Sequence, residues 1–190
     1  MKDKTIGYAM CGSFCTIDKS LKQLEALKNI GANIVPIMSP IVYTSDTRFT
    51  KAEALKKRVE EITDNKIIST IEKAEPIGPR ALLDLLIISP CTGNTISKIA
   101  GGITDTSVTM AAKAHLRNNR PVLLAIATND ALSGSAQNIG KLLGTRNLFF
   151  VPFGQDDPIK KPTSMICDFE KLLPAAEMAL KGKQLQPIII

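Results

Sequence analysis

The chain contains no tryptophan, and aromatic residues make up only 4% of it. Proteins that hold single strands stack bases on aromatic rings, so nucleic-acid binding is not expected. There is one histidine, His115, and none of the four cysteines (Cys11, Cys15, Cys91, Cys167) forms a Cys-x-x-Cys pair. That argues against a zinc site and leaves no metal expected. No apolar run approaches the ~18 residues of a membrane span. The opening Met-Lys-Asp-Lys enters a strand-like segment without a signal-peptide pattern. Free thiols and the lack of a leader predict a cytoplasmic protein with no membrane contact. Two nucleotide fingerprints are also missing. Gly12-Ser13-Phe14 is not Gly-x-Gly-x-x-Gly, and no Gly-x-x-x-x-Gly-Lys-Ser/Thr loop occurs. An ordinary dinucleotide site and a P-loop are therefore not expected.

What is present reads as one folded domain. The 190 residues are 44% hydrophobic and 22% charged, enough apolar material for a sizeable core. The net charge of +6 is modest and compatible with an anionic ligand, though equally with a mildly basic soluble protein.

Apolar runs alternate with helical patterns along the chain. Residues 5–11 form a first strand that stops at Gly12-Ser13. Asp18 offers an N-cap, Leu21, Leu24, Leu27 and Ile30 share a helical face, and Gly31 ends the helix. Residues 33–38 form a second strand, followed by Ser39-Pro40 and a looser stretch to residue 50. Residues 51–64 read as a surface helix with Ala54, Leu55, Val59 and Ile62 inward. A short strand is expected at 66–71 and a turn at 75–80. The third strand is expected at 82–88, wholly apolar and thus central. A helix follows over 107–119 with Met110 and Leu116 inward, then a strand at 121–127 and a helix at 138–143 ended by Gly144. A fifth strand at 147–153, a loop at 162–165 and a last helix at 167–181 complete the pattern. This predicts a doubly wound, mainly parallel α/β sheet over residues 1–181. Residues 182–190 form an apolar tail that pairs as an edge strand or docks on a neighbouring subunit.

Residues 90–105 (Pro-Cys-Thr-Gly-Asn-Thr-Ile-Ser-Lys-Ile-Ala-Gly-Gly-Ile-Thr-Asp) form the densest feature. They follow the central apolar run and turn into a helix, where a Rossmann-like sheet places its ligand. Four strand ends carry small polar residues: Gly12-Ser13, Ser39, Thr92 to Thr95, and Thr128-Asn129. In a parallel sheet these loops converge on one crevice. Their hydroxyls and amides suit a phosphorylated ligand with a polar chain. Cys11 and Cys91 lie beside these loops, as buried fillers or as acid–base thiols.

Gly12-Ser13-Phe14, Ser39 and the pattern Pro90-x-x-x-Asn-Thr-x-x-Lys-Ile-Ala-x-Gly-Ile-x-Asp resemble the flavoprotein family of homo-oligomeric FMN-containing cysteine decarboxylases and flavin prenyltransferases. The resemblance covers about residues 4–180. It implies FMN as cofactor, bound between subunits of a homo-oligomer. Gly12, Ser13 and Ser39, with Phe14 beside them, would hold the phosphate end. Pro90, Thr92, Gly93, Asn94 and Thr95, with Thr128 and Asn129, would line the flavin and its ribityl chain. Two family features are missing. The decarboxylases' histidine falls near Pro76, where none occurs, and the prenyltransferases' arginine position holds Ala127. His115 lies deep in an Ala-rich helix and is read as a helix residue. The catalytic residues stay unknown.

Residues 104–117, 120–122, 128–132, 150–156 and 182–187 are similar to one branch only, which acts in endospore formation. That likeness implies oxidation of dihydrodipicolinate to pyridine-2,6-dicarboxylate (dipicolinate) in the mother-cell cytoplasm. The partner would be the branch's separate A-subunit, which carries an NAD(P)-binding domain. Candidates for holding the small dicarboxylate substrate are Lys98, Arg117 and Arg120, with Arg80, Lys160, Lys161 and Arg48 as further cations. Asn129 and Asp130 would orient it, or Asp130 would cap the next helix. Three roles stay open: an FMN-using oxidoreductase subunit, a non-catalytic partner that keeps the flavin scaffold, or a decarboxylase or prenyltransferase with relocated groups.

Overall fold

The computed structural model describes residues 1–190. In chain order the elements are β1 (Thr5–Met10), α1 (Ile17–Asn29), β2 (Asn33–Met38), α2 (Pro40–Thr44), α3 (Ala52–Thr63) and α4 (Ile71–Ala74). There follow β3 (Leu85–Cys91), α5 (Gly93–Gly101), α6 (Ser107–Leu116), β4 (Val122–Thr128) and α7 (Ala136–Leu143). Last come β5 (Leu148–Phe150), β6 (Phe153–Asp157), β7 (Lys161–Cys167) and α8 (Leu172–Leu180).

The strands form one sheet in the order β2-β1-β3-β4-β7-β6. Pairing is parallel among β1, β2, β3 and β4, and β5 joins the first half of β4 in parallel at Val122–Leu124. The end of β4, at Ala127 and Thr128, instead pairs antiparallel with β7, and β7 with β6. The doubly wound sheet expected from the sequence is present, with an antiparallel hairpin added. The chain leaves β1 toward β2 on one side and returns to β3 on the other. Right-handed crossovers then put α1 on one face and α5 and α6 on the opposite one. The crevice between the carboxyl ends of β1 and β3 is the switch point of this sheet.

β3 carries the centre of the core. Leu85, Leu86, Ile87 and Ile88 are fully buried. Truncating one such residue to alanine costs about 2–5 kcal/mol. The strand sits three residues later than its apolar run suggests. Asp84 Oδ2 accepts the Thr5 backbone N–H at 2.9 Å, which stops β3 at its start. At the other end Ser89 stays in the strand because its hydroxyl is satisfied: Ser20 Oγ lies 3.0 Å from Ser89 Oγ, and Tyr8 Oη lies 2.8 Å from Ser20 Oγ. This buried hydroxyl chain ties β1, α1 and β3 together.

Other expectations shift for local reasons. Asp18 is not the N-cap of α1; it lies in the first turn, where its charge faces the positive helix end. Ile30 is 39% exposed, at the C-cap rather than on the inward face. Gly31 follows with φ +84°, the left-handed position that ends a helix. In α3 the buried stripe is Ala52, Leu55, Val59 and Thr63, while Ala54 is exposed. Met110 and Leu116 are only half-buried, and Val108, Ala111, Ala112 and His115 face inward instead. The 66–71 strand reduces to one bridge between Ile68 and Ile37. The expected loop at 162–165 is part of β7. Pro162 misleads because proline breaks central strands, whereas here it stands near the start of a hairpin strand. The tail packs on the same sheet. Gln184 Oε1 accepts the Phe150 N–H at 2.8 Å and its Nε2 donates to the Phe150 carbonyl at 2.7 Å, completing the edge of β5. Beyond it, the Phe153 N–H donates to the Ile188 carbonyl at 3.0 Å.

Candidate functional site

The four polar strand ends meet in one crevice with two joined lobes, which share Gly12, Thr92 and Asn94. The smaller lobe, about 400 Å³, is lined by Cys11, Ser39, Pro40, Ile41, Thr95, Lys98 and Thr106 besides the shared residues. The larger, about 760 Å³, runs past Ser13 and Phe14 to Thr128 and Asn129 and out under the β6–β7 hairpin. Volumes of this size take a drug-sized or cofactor-sized ligand.

The small lobe gathers groups of the kind that can bind an anion. Ser39 is 7% exposed, and its Oγ has no hydrogen-bond partner in the protein. A buried orphan hydroxyl costs roughly 1–3 kcal/mol, so it points to a group that completes it. The same lobe is lined by the N-terminus of α5. Thr92 occupies its N-cap with an extended backbone but makes no side-chain cap bond. The first-turn amides of α5 lack intrahelical acceptors and carry the positive helix end. Lys98 reaches the same lobe and pairs with Asp105 at 2.8 Å. That bond holds the Asp105 carboxyl below its usual range. Thr106 caps α6 in a reciprocal bond with Thr109, and Ser107 Oγ donates to the Met38 carbonyl at 2.5 Å. These contacts fix α6 to the end of β2 and shape the lobe wall.

The base of the crevice is rigid. Asp130 Oδ1 accepts from Thr128 Oγ1 at 2.5 Å, and Oδ2 accepts from Ser135 Oγ at 2.9 Å. Gly93 lies directly against this cluster. A Cβ there would fall 2.5 Å from Asp130 Oδ1, 2.6 Å from Ser135 Oγ and 2.8 Å from Thr128 Oγ1. Gly93 is thus required for the close approach of α5 to the loop after β4. Beneath them Thr95 Oγ1 donates to Cys11 Sγ at 3.2 Å. Burial pushes the Cys11 thiol up to about 11, and burial raises Cys91 well above the ordinary thiol range. Burial thus favours the protonated thiol in both, which fits small buried fillers and disfavours a thiolate base.

The predicted residues Gly12, Ser13, Phe14, Ser39, Thr92, Gly93, Asn94, Thr95, Thr128, Asn129 and Lys98 all line the crevice. Pro90 does not; it is buried in β3, and its carbonyl accepts the Cys11 N–H at 3.2 Å. Arg117 and Arg120 lie at the opposite, amino edge of the sheet. Arg117 sits beside Gly78, and Arg120 bonds the Leu83 carbonyl. The topology held this signal: a helix that starts at the carboxyl edge must end at the amino edge. Arg80 is not among the crevice residues, whereas Arg48 and Lys161 are. Sequence reasoning missed Cys15, Phe49, Asp156, Met165 and Ile166, which also line the larger lobe. Three of these arrive on the hairpin, whose sequence reads as strand and loop. His115 is buried at the end of α6, away from the crevice. Burial, reinforced by the Arg120 charge, lowers its imidazole to about 4. The crevice holds no imidazole, and Ala127 stands at its wall.

The flavoprotein family model matches residues 1–179. The dipicolinate synthase B-subunit of Bacillus subtilis (strain 168) is 46% identical over 190 residues, covering 100% of this chain and 95% of that one. The crystal structure of the dipicolinate synthase B-subunit from Bacillus halodurans C superimposes with a TM-score of 0.92 at 42% identity, covering 100% and 97% of the two chains. A dodecameric FMN-dependent UbiX-like decarboxylase from Escherichia coli O157:H7 shares the fold alone, with a TM-score of 0.63, 20% identity and coverages of 78% and 79%. No helix is long and apolar enough to cross a membrane.

Proposed function

The chain belongs to the flavoprotein family, in the branch of the dipicolinate synthase B-subunits, and on that premise we propose that it is the FMN-binding subunit of a dipicolinate synthase. In this reading it acts with the A-subunit of that enzyme to oxidise dihydrodipicolinate to pyridine-2,6-dicarboxylate in the mother-cell cytoplasm of a spore former. The observation that carries it is the orphan Ser39 hydroxyl in the same lobe as the first turn of α5. Uncharged donors, a helix N-terminus and one lysine are the donor set a phosphate monoester needs.

The residues fit the cofactor. Ser39, the Gly12-Ser13 turn and the first turn of α5 would hold its phosphate, with Lys98 adding charge. A Cβ on Gly12 would lie 3.1 Å from Ile41 Cγ2, so the turn packs tightly against the wall of the lobe. Thr92, Asn94, Thr128 and Asn129 would line the flavin side. A bound flavin supplies a two-electron acceptor, as would NAD(P) on the A-subunit. Oxidation of a dihydropyridine removes a hydride and a proton and gains aromaticity. The protein's task is then mainly to bind a dianion, hold it flat against the acceptor and keep water out. A crevice without imidazole supports this reading over cysteine decarboxylation, and Ala127 supports it over prenyl transfer.

Reconstitution tests the proposal. The purified chain should turn yellow with FMN. Mixed with the A-subunit, NAD(P) and dihydrodipicolinate, it should raise dipicolinate formation above that of the A-subunit alone, read by ultraviolet absorbance. A colourless chain that cannot take up FMN would overturn the flavin role. Equal rates with and without the chain would overturn its part in catalysis.

A further inference from the structure

Three cations line the crevice, and they differ in how they are held. Lys98 belongs to the small lobe and is tied to Asp105. Arg48 and Lys161 belong to the larger lobe and come from its two flanks. Arg48 stands in the loop between α2 and α3, on the β2 side of the sheet. Lys161 opens β7, on the far side of β4.

Both are presented by segments with internal order. Thr47 Oγ1 accepts the Phe49 and Thr50 N–H groups at 3.2 Å each, and Asp46 Oδ1 accepts the Ala52 N–H at 3.0 Å. The Arg48 guanidinium lies 4.8 Å from the Phe49 ring centroid and donates no hydrogen bond within the chain. All five of its N–H groups are available in a planar fork. In the hairpin, Asp157 Oδ1 accepts the Lys160 N–H at 3.0 Å, and Gln155 Nε2 donates to the Pro162 carbonyl at 3.0 Å. Lys161 Nζ bonds Asp156 at 2.7 Å, which uses one of its three donors. The remaining acid of the lobe, Asp130, has one oxygen bonded by Thr128 and the other by Ser135.

Building on the proposed function, we propose that Arg48 and Lys161 form a two-point clamp, each taking one carboxylate of a planar pyridine-2,6-dicarboxylate-type ligand. Two cations on opposite flanks suit two carboxylates set on either side of a ring nitrogen. The Arg48 fork takes one carboxylate bidentately, and the Lys161 ammonium takes the other with its free donors. Asp156 aims Lys161 but also offsets its charge.

The test is calorimetric titration of the full-length, FMN-treated chain with dipicolinate and with the monocarboxylate picolinate. The unsubstituted chain should prefer dipicolinate. Arg48→Gln and Lys161→Gln should each weaken dipicolinate binding by about tenfold, the loss of one charge-assisted contact. Their loss for picolinate should be smaller, so selectivity falls in both. Asp156→Asn should strengthen dipicolinate binding. FMN uptake, read by quenching of flavin fluorescence, should stay unchanged in all three. Unaltered dipicolinate binding in both glutamine variants, equal losses for the two ligands, or no dipicolinate binding to the unsubstituted chain would overturn the clamp. A parallel turnover assay with the A-subunit separates the two readings. Turnover that ignores both substitutions removes the clamp alone; absence of both turnover and binding removes the function as well.

Discussion

Asp130 lies so close to Gly93 that a β-carbon on the glycine would fall 2.5 Å from its Oδ1. The carboxylate is held there by the Thr128 and Ser135 hydroxyls, so it cannot retreat without breaking them. The loop after β4 and the first turn of α5 are thereby locked into one wall of the crevice.

Gly93→Ala should therefore destabilise the protein by about 1–3 kcal/mol, the usual cost of overpacking. Urea unfolding checks it. Combined with Asp130→Ala, the second change should cost less than it does alone, because part of the clash is gone. Strict additivity would show that the two residues do not press on each other.

Ser39→Ala separates binding from stability. The hydroxyl has no partner in the protein, so its loss should leave the unfolding midpoint unchanged or slightly raised. FMN affinity should fall by about tenfold to a hundredfold, the worth of one hydrogen bond to a charged group. Fluorescence titration reads the affinity. A large drop in stability with unaltered FMN binding would assign Ser39 to the fold instead.

His115 makes stability depend on pH. Its imidazole is lowered to about 4 in the folded chain, against about 6.5 when unfolded. Between those values the unfolded chain binds more protons, so stability falls as pH falls. The contribution is complete above pH 6.5 and is lost by about pH 4, and it amounts to roughly 3 kcal/mol. Urea midpoints measured from about pH 7 to about pH 4.5 should decline, and the decline should be shallower in His115→Leu. Equal slopes in the two proteins would remove His115 as the cause.

Thiol titration should find one fast cysteine. Cys15 is exposed at the crevice, whereas Cys11, Cys91 and Cys167 are buried. A disulfide reagent should modify about one thiol per native chain and all four in denaturant. Several fast thiols in the native protein would contradict the burial of Cys11 and Cys91.

Much of the fold is legible in short stretches. The parallel order of β1 and β2, the Gly31 stop and the polar strand ends each follow from a local pattern. Errors arise where a local pattern has two readings. The apolar run at 82–88 marks a strand but not its ends, which depend on Asp84 meeting Thr5 and on Ser89 meeting Ser20. The hairpin is hidden because Pro162 and the short segment at 153–157 look like loop until β7 pairs with the end of β4. Closeness in sequence puts Arg117 and Arg120 near the site, but the length of α6 carries them to the far edge.

Sequence alone determined the alternation of strands and helices, the free thiols and the polar residues that end four strands. These depend on hydrophobic period and on glycine or hydroxyl placement, which act over a few residues. Only tertiary structure decided which of them face one another. Ser39 has no partner because β2 and α6 bury it beside an open helix end, and Gly93 is needed because Asp130 comes within reach of it. Arg48 and Lys161 share a lobe because the sheet order puts the α2–α3 loop and the start of β7 on either flank of one switch point. Such meetings follow from pairing between distant strands, and no local propensity encodes them.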